Sequence, residues 1–401
     1  MRVRHSSFLL IFVSCLLSPY TSQAASFEPR LIESLDALQN KTDAISESNL
    51  SALIKDYPNS QTAHLLMADL YAARAGIIDQ DSLRKASLST VSAQQLKGLR
   101  DELNLRWNQV MHASPAQRGL VPSSIIKLAP KHHSVVFIDA SQARLYIYNN
   151  NQGELSLALN NYTSIGEKGQ HKRLEGDKRT PIGVYNITRY IEDNELPPLY
   201  GSGAFPINYP NSLDKHYNRT GYGIWLHGTY PESFNRIPLA SDGCVAMSNP
   251  EFDLIKPLVS ATVKTPVIIS DQPNWVEPKL LDVTRAFFLS LLDQWAKDWA
   301  SLDTQKYSSH YDKDNFFTDN DEYTSWIDKK IKSINRKESI EIKLSSISIF
   351  AYPAEKDMII AEFTQAYTSN NYISQSLKRQ YWKRGVNNEW KIIYEGNQQP
   401  R

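Results

Sequence analysis

The sequence predicts a multidomain protein: an α-helical N-terminal region, a mostly-β central domain and an α+β C-terminal domain. Three observations predict it. The chain has 401 residues, too many for one ordinary core. Apolar residues recur at helical spacing as far as about residue 112, then give way after Pro122 to short β-branched and aromatic runs separated by loops rich in Gly, Pro, Asn and Tyr. Past residue 280 a long amphipathic helix precedes four strand-like runs.

The first 24 residues read as a secretory leader. Arg2 and Arg4 give a basic start, Phe8 to Leu17 an apolar run, and Ser22-Gln23-Ala24 small residues at the cleavage positions. The run falls well short of the roughly 20 residues that span a bilayer. Leu16 and Leu17 carry it past Cys15, which argues against lipid attachment there. No other segment is long and apolar enough to cross a membrane. The expectation is an exported, periplasmic protein starting near Ala25 that is not an integral membrane protein. Lys+Arg (44) and Asp+Glu (43) nearly cancel, so bulk charge implies no polyanionic partner. With no glycine-rich phosphate loop, no metal-spaced His/Cys set and no nucleic-acid motif, neither cofactor, metal nor nucleic acid is expected.

The helical region covers 25–122. Leu50, Leu53, Ile54 and Tyr57 lie at helical spacing, Pro58-Asn59-Ser60 breaks the run, and Leu66 to Ala75 resume it before Gly76. Two such helices make a hairpin, a candidate packing or homodimerisation element. The central domain covers 123–272. Val135–Ile138 and Leu145–Tyr148 are strands, Asn149 to Gly153 a turn, and Leu155, Leu157 and Leu159 alternate. Further strands are expected at 183–190, 223–227 and 267–270. Asp271 to Asn274 reads as a linker. The C-terminal domain covers 280–396, with helices over 283–302 and 323–335 and strands over 340–350, 357–368, 373–384 and 390–395.

Removing the leader leaves one cysteine, Cys244. An exported compartment is oxidising, where an unpaired thiol is a liability unless it has a task. Ser241-Asp242-Gly243-Cys244 follows His227-Gly228-Thr229, with seventeen residues from histidine to cysteine. A free thiol is mostly protonated near neutral pH, its ordinary pKa being about 8.5. An imidazole beside it can take that proton and return it to a leaving amine. The separation allows the two to meet across one hairpin-like excursion. Gly243 lacks a side chain, which lets backbone N–H groups approach an oxyanion.

These residues resemble the signature of the L,D-transpeptidase catalytic domain. The resemblance extends through Ser164-Ile165-Gly166, Glu175-Gly176-Asp177, Arg179-Thr180-Pro181, Gly183-Val184-Tyr185, Pro197 to Gly201 and Ile224 to Gly228. It implies that Cys244 attacks a carbonyl of a peptidoglycan stem peptide, that His227 is the base, and that the Gly228 carbonyl orients the imidazole. Ser241, Asp242 and Gly243 would line the oxyanion and substrate side, with Arg219 a candidate for a substrate carboxylate. Many members have His where this chain has Asp242, and Arg where it has Ala246. The Asp-Gly-Cys form resembles a branch whose catalytic domain precedes a cone-shaped domain of nuclear-transport-factor-2 (NTF2) type, and which includes cell-shape L,D-carboxypeptidases. Transfer to an amine gives crosslinking, the first expectation; transfer to water gives trimming. A non-catalytic wall-binding scaffold is the rival reading. In the C-terminal domain Trp295, Trp299, Phe363 and Tyr381 would suit a pocket wall, and Lys378, Arg379, Lys383 and Arg384 read as a solvated basic face.

Overall fold

The computed structural model describes residues 27–40, 43–76, 92–111, 114–319, 322–353 and 355–398. The leader and Cys15 lie outside the described residues. Four helices open the described chain: α1 (Phe27–Gln39), α2 (Asp43–Asp56), α3 (Gln61–Arg74) and α4 (Ala93–Met111). The Pro58-Asn59-Ser60 break is a real turn, because the Ser60 hydroxyl caps α3 by accepting from the Ala63 N–H. Leu31, Leu35, Leu50, Leu53, Leu66, Leu70 and Leu103 form the core of the bundle. Phe234, from the central domain, completes it, with its ring 5.8 Å from Phe27 and 4.7 Å from Tyr57. The apolar faces thus close on the same chain, and this packing gives no support to a homodimer through them.

The central domain is built on β3 (Ser134–Asp139), β4 (Arg144–Asn151), β5 (Glu154–Tyr162), β7 (Gly183–Asn186) and β12 (Pro266–Ser270), in the order β5-β4-β3-β12-β7. Before β3 come β1 (Val121–Pro122) and β2 (Ile125–Lys127); β6 is Ile165–Gly166. The turn expected over Asn149–Gly153 is tighter than the sequence suggested. Strand β4 runs on to Asn151, and Gln152 and Gly153 make a two-residue loop with φ of 58° and 106°. Positive φ at both central positions is what a right-twisted hairpin demands.

A second, three-stranded sheet carries the site: β8 (Ala204–Pro206), β9 (Trp225–His227) and β11 (Val245–Ala246), ordered β11-β9-β8. Strand β10 (Leu239–Ser241) pairs in parallel with β6. Of two short helices, α5 (Ser212–His216) precedes β9, and α6 (Asn249–Ile255) packs on this sheet, its Phe252 ring 5.6 Å from that of Phe205.

The C-terminal domain has helices α7 (Leu281–Ala300), α8 (Thr304–Ser309) and α9 (Tyr323–Ile334). They are followed by β14 (Ile340–Ala351), β15 (Met358–Ser369), β16 (Tyr372–Arg384) and β17 (Trp390–Asn397) in one antiparallel sheet. Its fifth strand is β2, which pairs with β14. The expected linker leads directly into β13 (Trp275–Val276), which pairs with β1 while Trp275 packs edge-on against Phe137 and Tyr146. The second and third domains are therefore stitched together rather than loosely tethered. Lys378 and Arg379 are not a solvated face: both are buried, paired with Glu395 and Glu362. Trp295 and Phe363 are core, Tyr381 belongs to the core shared with the central domain, and Trp299 borders a cavity of about 370 Å³.

A buried ionic cluster joins the helical and central domains. Glu28 on α1 accepts from Arg144 on β4 and from the Tyr162 N–H (2.7 Å), and lies 3.4 Å from Arg106 on α4. Arg106 also pairs with Glu102 at 3.0 Å and stacks over Tyr162. Glu251 on α6 is buried beside them with one oxygen unpartnered; burial, and then the Glu28 charge, push its carboxyl up to about 7. The ordinary value is 4.5. Between these values the folded state holds the extra proton, so stability falls as pH rises through that window. Glu251→Gln, which mimics the protonated form, should stabilise the protein at pH 8 by up to about 3 kcal/mol and change it little at pH 5. Chemical denaturation at both pH values checks this, and an equal effect at both would contradict it.

Candidate active site

A parallel strand pair places Cys244 and His227 on one side of the sheet. Val245 faces Leu226 and Ala246 faces His227 in the register of β11 on β9. Side chains alternate with a period of two, so Cys244, two residues before Ala246, falls on the His227 side next to Trp225. The sulfur confirms that placement: its S–H donates to the Gly223 carbonyl at 3.3 Å, and the Trp225 N–H donates to it. The excursion between histidine and cysteine is accordingly not hairpin-like. Two parallel strands cannot be closed by a tight turn and need a crossover, here residues 228–244.

His227 is buried, and its Nδ1–H donates to the Gly228 carbonyl at 2.5 Å. That bond leaves Nε2 as the acceptor, the tautomer a base requires. The Tyr200 ring meets the imidazole edge-on at 4.9 Å and lies against Trp225. Burial depresses the imidazole to about 4 and pushes the thiol up to about 11. The resting pair is thus neutral thiol and neutral imidazole. The Trp225 N–H and the Arg236 cation pull the thiol back down, though less than burial raises it.

Gly243 serves the site in a different way from the one expected. Its φ is +123°, and a Cβ there would stand 2.7 Å from the Arg179 carbonyl and 3.1 Å from Ile224. Its own N–H donates to the Ser241 hydroxyl (3.1 Å), which in turn donates to the Cys244 carbonyl at 2.6 Å. Its carbonyl accepts from the Thr180 hydroxyl, which also receives the Gly166 N–H. Gly243 thus permits close packing, while Ser241 shapes the loop that carries Cys244. Asp177 ties the neighbouring loop by accepting from the N–H groups of Arg173, Leu174 and Arg179 and from Lys172. Asp242 points to solvent, with its side chain 87% exposed and Lys178 at 3.7 Å.

Arg219 is engaged away from this constellation. It pairs with Asp214 (3.0 Å) and with Glu355 of the C-terminal domain (3.5 Å), and packs over Tyr217. Tyr209 is core and Tyr222 is exposed. Two contributors escaped the sequence reading. Arg236, in the middle of the crossover, is largely buried near Cys244; its Nη2 donates to the Ala240 carbonyl and its Nε has no partner. Asn249 clamps the site loops, its Oδ1 accepting from the N–H groups of Ser202 (3.1 Å) and Thr229 (2.9 Å). Its position just inside a Ser-Asn-Pro helix start marked a turn, but nothing local marked a clamp. Among the described residues no cluster of three or more His, Cys, Asp or Glu is placed to hold a metal, and no helix is long and apolar enough to cross a membrane.

The comparisons with known proteins bear on the domains that hold this site. Residues 133–269 match the L,D-transpeptidase catalytic domain, and residues 287–396 match the Cds6 C-terminal NTF2-like domain. The chain thus carries an L,D-transpeptidase catalytic domain followed by an NTF2-like domain. Among solved structures it is similar to Bdellovibrio bacteriovorus Bd1075, with 27% identity and a TM-score of 0.61, covering 70% of this chain and 99% of that one. It is also similar to the helical cell shape determining protein Pgp2 from Campylobacter jejuni, with 26% identity and a TM-score of 0.57, covering 69% of this chain and 95% of that one. No curated relative matches.

A neutral resting pair has a kinetic signature. Alkylation of Cys244 by iodoacetamide should be slow at pH 7 and rise about ten-fold per pH unit towards pH 10, because thiolate is the reacting form. Arg236→Met should move that profile to higher pH and Arg236→Lys much less. A rate that levels off below pH 8 would contradict the neutral pair.

Proposed function

We propose that the protein is an exported, periplasmic cysteine-dependent enzyme of murein that forms an acyl-enzyme between Cys244 and a stem-peptide carbonyl, then releases it to water. The observation that carries the reading is the thiol–imidazole pair on one side of β9 and β11, with the histidine tautomer fixed by Gly228. His227 Nε2 accepts the thiol proton as sulfur attacks the carbonyl, which avoids a free thiolate in a site that disfavours it. The imidazolium then protonates the departing amine, the C–N bond breaks and a thioester remains. Water enters, gives its proton to His227 and attacks the thioester, and the sulfur leaves with that proton. The half-buried Arg236 cation stabilises negative charge on sulfur during both displacements.

Water is preferred to an amine acceptor because of the three-domain similarity. The sequence tied the Asp-Gly-Cys form to cell-shape L,D-carboxypeptidases, and Pgp2, whose name records a role in helical cell shape, shares this arrangement over most of its length. Trimming of tetrapeptides to tripeptides, with an effect on cell shape, follows from that likeness. Incubation with purified muropeptides and mass analysis of the products tests it: tripeptide is expected, and crosslinked dimers without tripeptide would restore the transpeptidase reading.

Cys244→Ala should abolish all product formation while costing stability on the order of a kcal/mol. Normal turnover by the variant would remove the nucleophile from the account. Asp242 faces solvent where a cationic group of the diamino acid would approach. Asp242→Asn should therefore raise KM about ten-fold, the worth of a charged contact, and leave iodoacetamide reactivity unchanged. An unaltered KM would show that this carboxylate does not meet substrate.

A further inference from the structure

The imidazole of His227 is held through a single peptide unit. Its Nδ1–H donates to the Gly228 carbonyl at 2.5 Å. The N–H of that same peptide bond belongs to Thr229, and it donates to Asn249 Oδ1 at 2.9 Å. The Gly228–Thr229 bond is trans. A trans peptide is planar, with its C=O and N–H pointing in opposite directions. An acceptor that fixes the N–H therefore also fixes where the carbonyl points. Asn249 opens α6, whereas His227 lies on β9, so the carbonyl is aimed from outside the strand that carries the imidazole.

The same oxygen controls a second group that touches the ring. Asn249 Oδ1 also accepts from the Ser202 N–H at 3.1 Å, two residues beyond Tyr200, whose ring meets the imidazole edge-on at 4.9 Å. Two glycines make room for it. A Cβ on either Gly201 or Gly228 would overlap the Asn249 oxygen, and Gly201 has a φ of 58°, which glycine adopts without strain. Capping does not explain this placement. The N-cap of α6 is Ser248, and that helix has no side-chain cap; the Asn249 oxygen is spent on two loop N–H groups instead.

A free neutral histidine favours the proton on Nε2, which would leave no acceptor for a thiol proton there. Inside a protein the choice of nitrogen is set by the bond that the other one makes. His227 is buried, so solvent is poorly placed to replace a lost acceptor at Nδ1. We propose that Asn249 is a positioning residue that selects the base-competent tautomer of His227: by accepting from the Thr229 N–H it turns the Gly228 carbonyl to Nδ1 and leaves Nε2 free for the Cys244 proton. The inference rests on the reading of His227 as the base and adds the residue that prepares it.

The test reads the tautomer directly, by NMR of the full-length protein carrying nitrogen-labelled histidine, because protonated and bare ring nitrogens resonate far apart. At pH 7, well above the depressed imidazole value of about 4, the ring is neutral and its tautomer defined. The unaltered protein should carry the His227 proton on Nδ1. Asn249→Ala has no acceptor and Asn249→Ser is too short to reach both N–H groups, so each should move that proton largely to Nε2. Asn249→Asp keeps an oxygen at the same reach and should retain the original tautomer. With a disaccharide tetrapeptide, kcat should fall about ten-fold in the Ala and Ser variants with KM little changed, the scale of one misdirected hydrogen bond, and Asp should restore it. The inference is overturned if a folded Ala or Ser variant keeps the proton on Nδ1, or if the Asp variant loses it as they do. A proton on Nε2 in the unaltered protein would overturn it together with the base assignment. The expected tautomer pattern in a protein without activity on murein would uphold the positioning role and count against the proposed reaction alone.

Discussion

The parallel pairing of β9 with β11 is the constraint on which the rest of the site depends. It puts Cys244 beside Trp225 and on the side of His227, but it cannot be closed locally. The chain must leave the sheet after Gly228 and return at Cys244, and so long a loop tends to be mobile unless its side chains are buried elsewhere. The helical domain supplies that burial. Phe234 enters its core, Asn235 bonds to Thr62 and to Glu102, and Ile237 packs against the bare Cα of Gly98, where a Cβ would stand 2.5 Å from its methyl. The helices thus work as a clamp on the segment joining His227 to Cys244. The β10–β6 ladder and Asn249 fix the two ends of the same segment.

Burial that holds the crossover in place also sets the electrostatics of the reaction. Burial of the imidazole and partial burial of the thiol favour their neutral forms, and they make any charge that develops there costly unless a partner is waiting. Arg236 is that partner, and it is carried by the clamped crossover itself. The sequence lacks the arginine that many family members place two residues after the cysteine, where Ala246 stands. In this chain a guanidinium reaches the neighbourhood of the sulfur from the loop instead. The same economy appears at the domain junctions, where Glu28 with Arg144 and Glu362 with Arg379 are buried pairs whose value depends on both partners staying in place.

Much of this was legible in the sequence because it is local. Alternation of Leu155, Leu157 and Leu159, the Pro58-Asn59-Ser60 break and the Trp295–Trp299 spacing each report on a neighbour within a few residues. The candidate nucleophile and base stood out because a lone thiol behind a leader-like segment and a Gly-Cys turn carry chemistry in their identity. What stayed hidden is long-range. Nothing near Asn249 indicates that it will bridge loops tens of residues upstream. Arg219 was a reasonable guess for a substrate cation, but besides the nearby Asp214 it pairs with Glu355, a partner that only the third domain supplies. The parallel sense of β9 and β11 was missed for the same reason, since seventeen residues suit either a hairpin or a crossover. The solvated reading of Lys378 and Arg379 failed because charge patterning does not reveal which face of a strand a second layer will cover.

The account stands on a covalent intermediate at one thiol. Its most direct measurement is the intact mass of the full-length protein, quenched during turnover of a disaccharide tetrapeptide and then digested to locate any adduct. The account predicts a transient mass gain equal to the acyl portion of the substrate, confined to the peptide that contains Cys244. Sustained turnover with no adduct, or an adduct on any other residue, would contradict it.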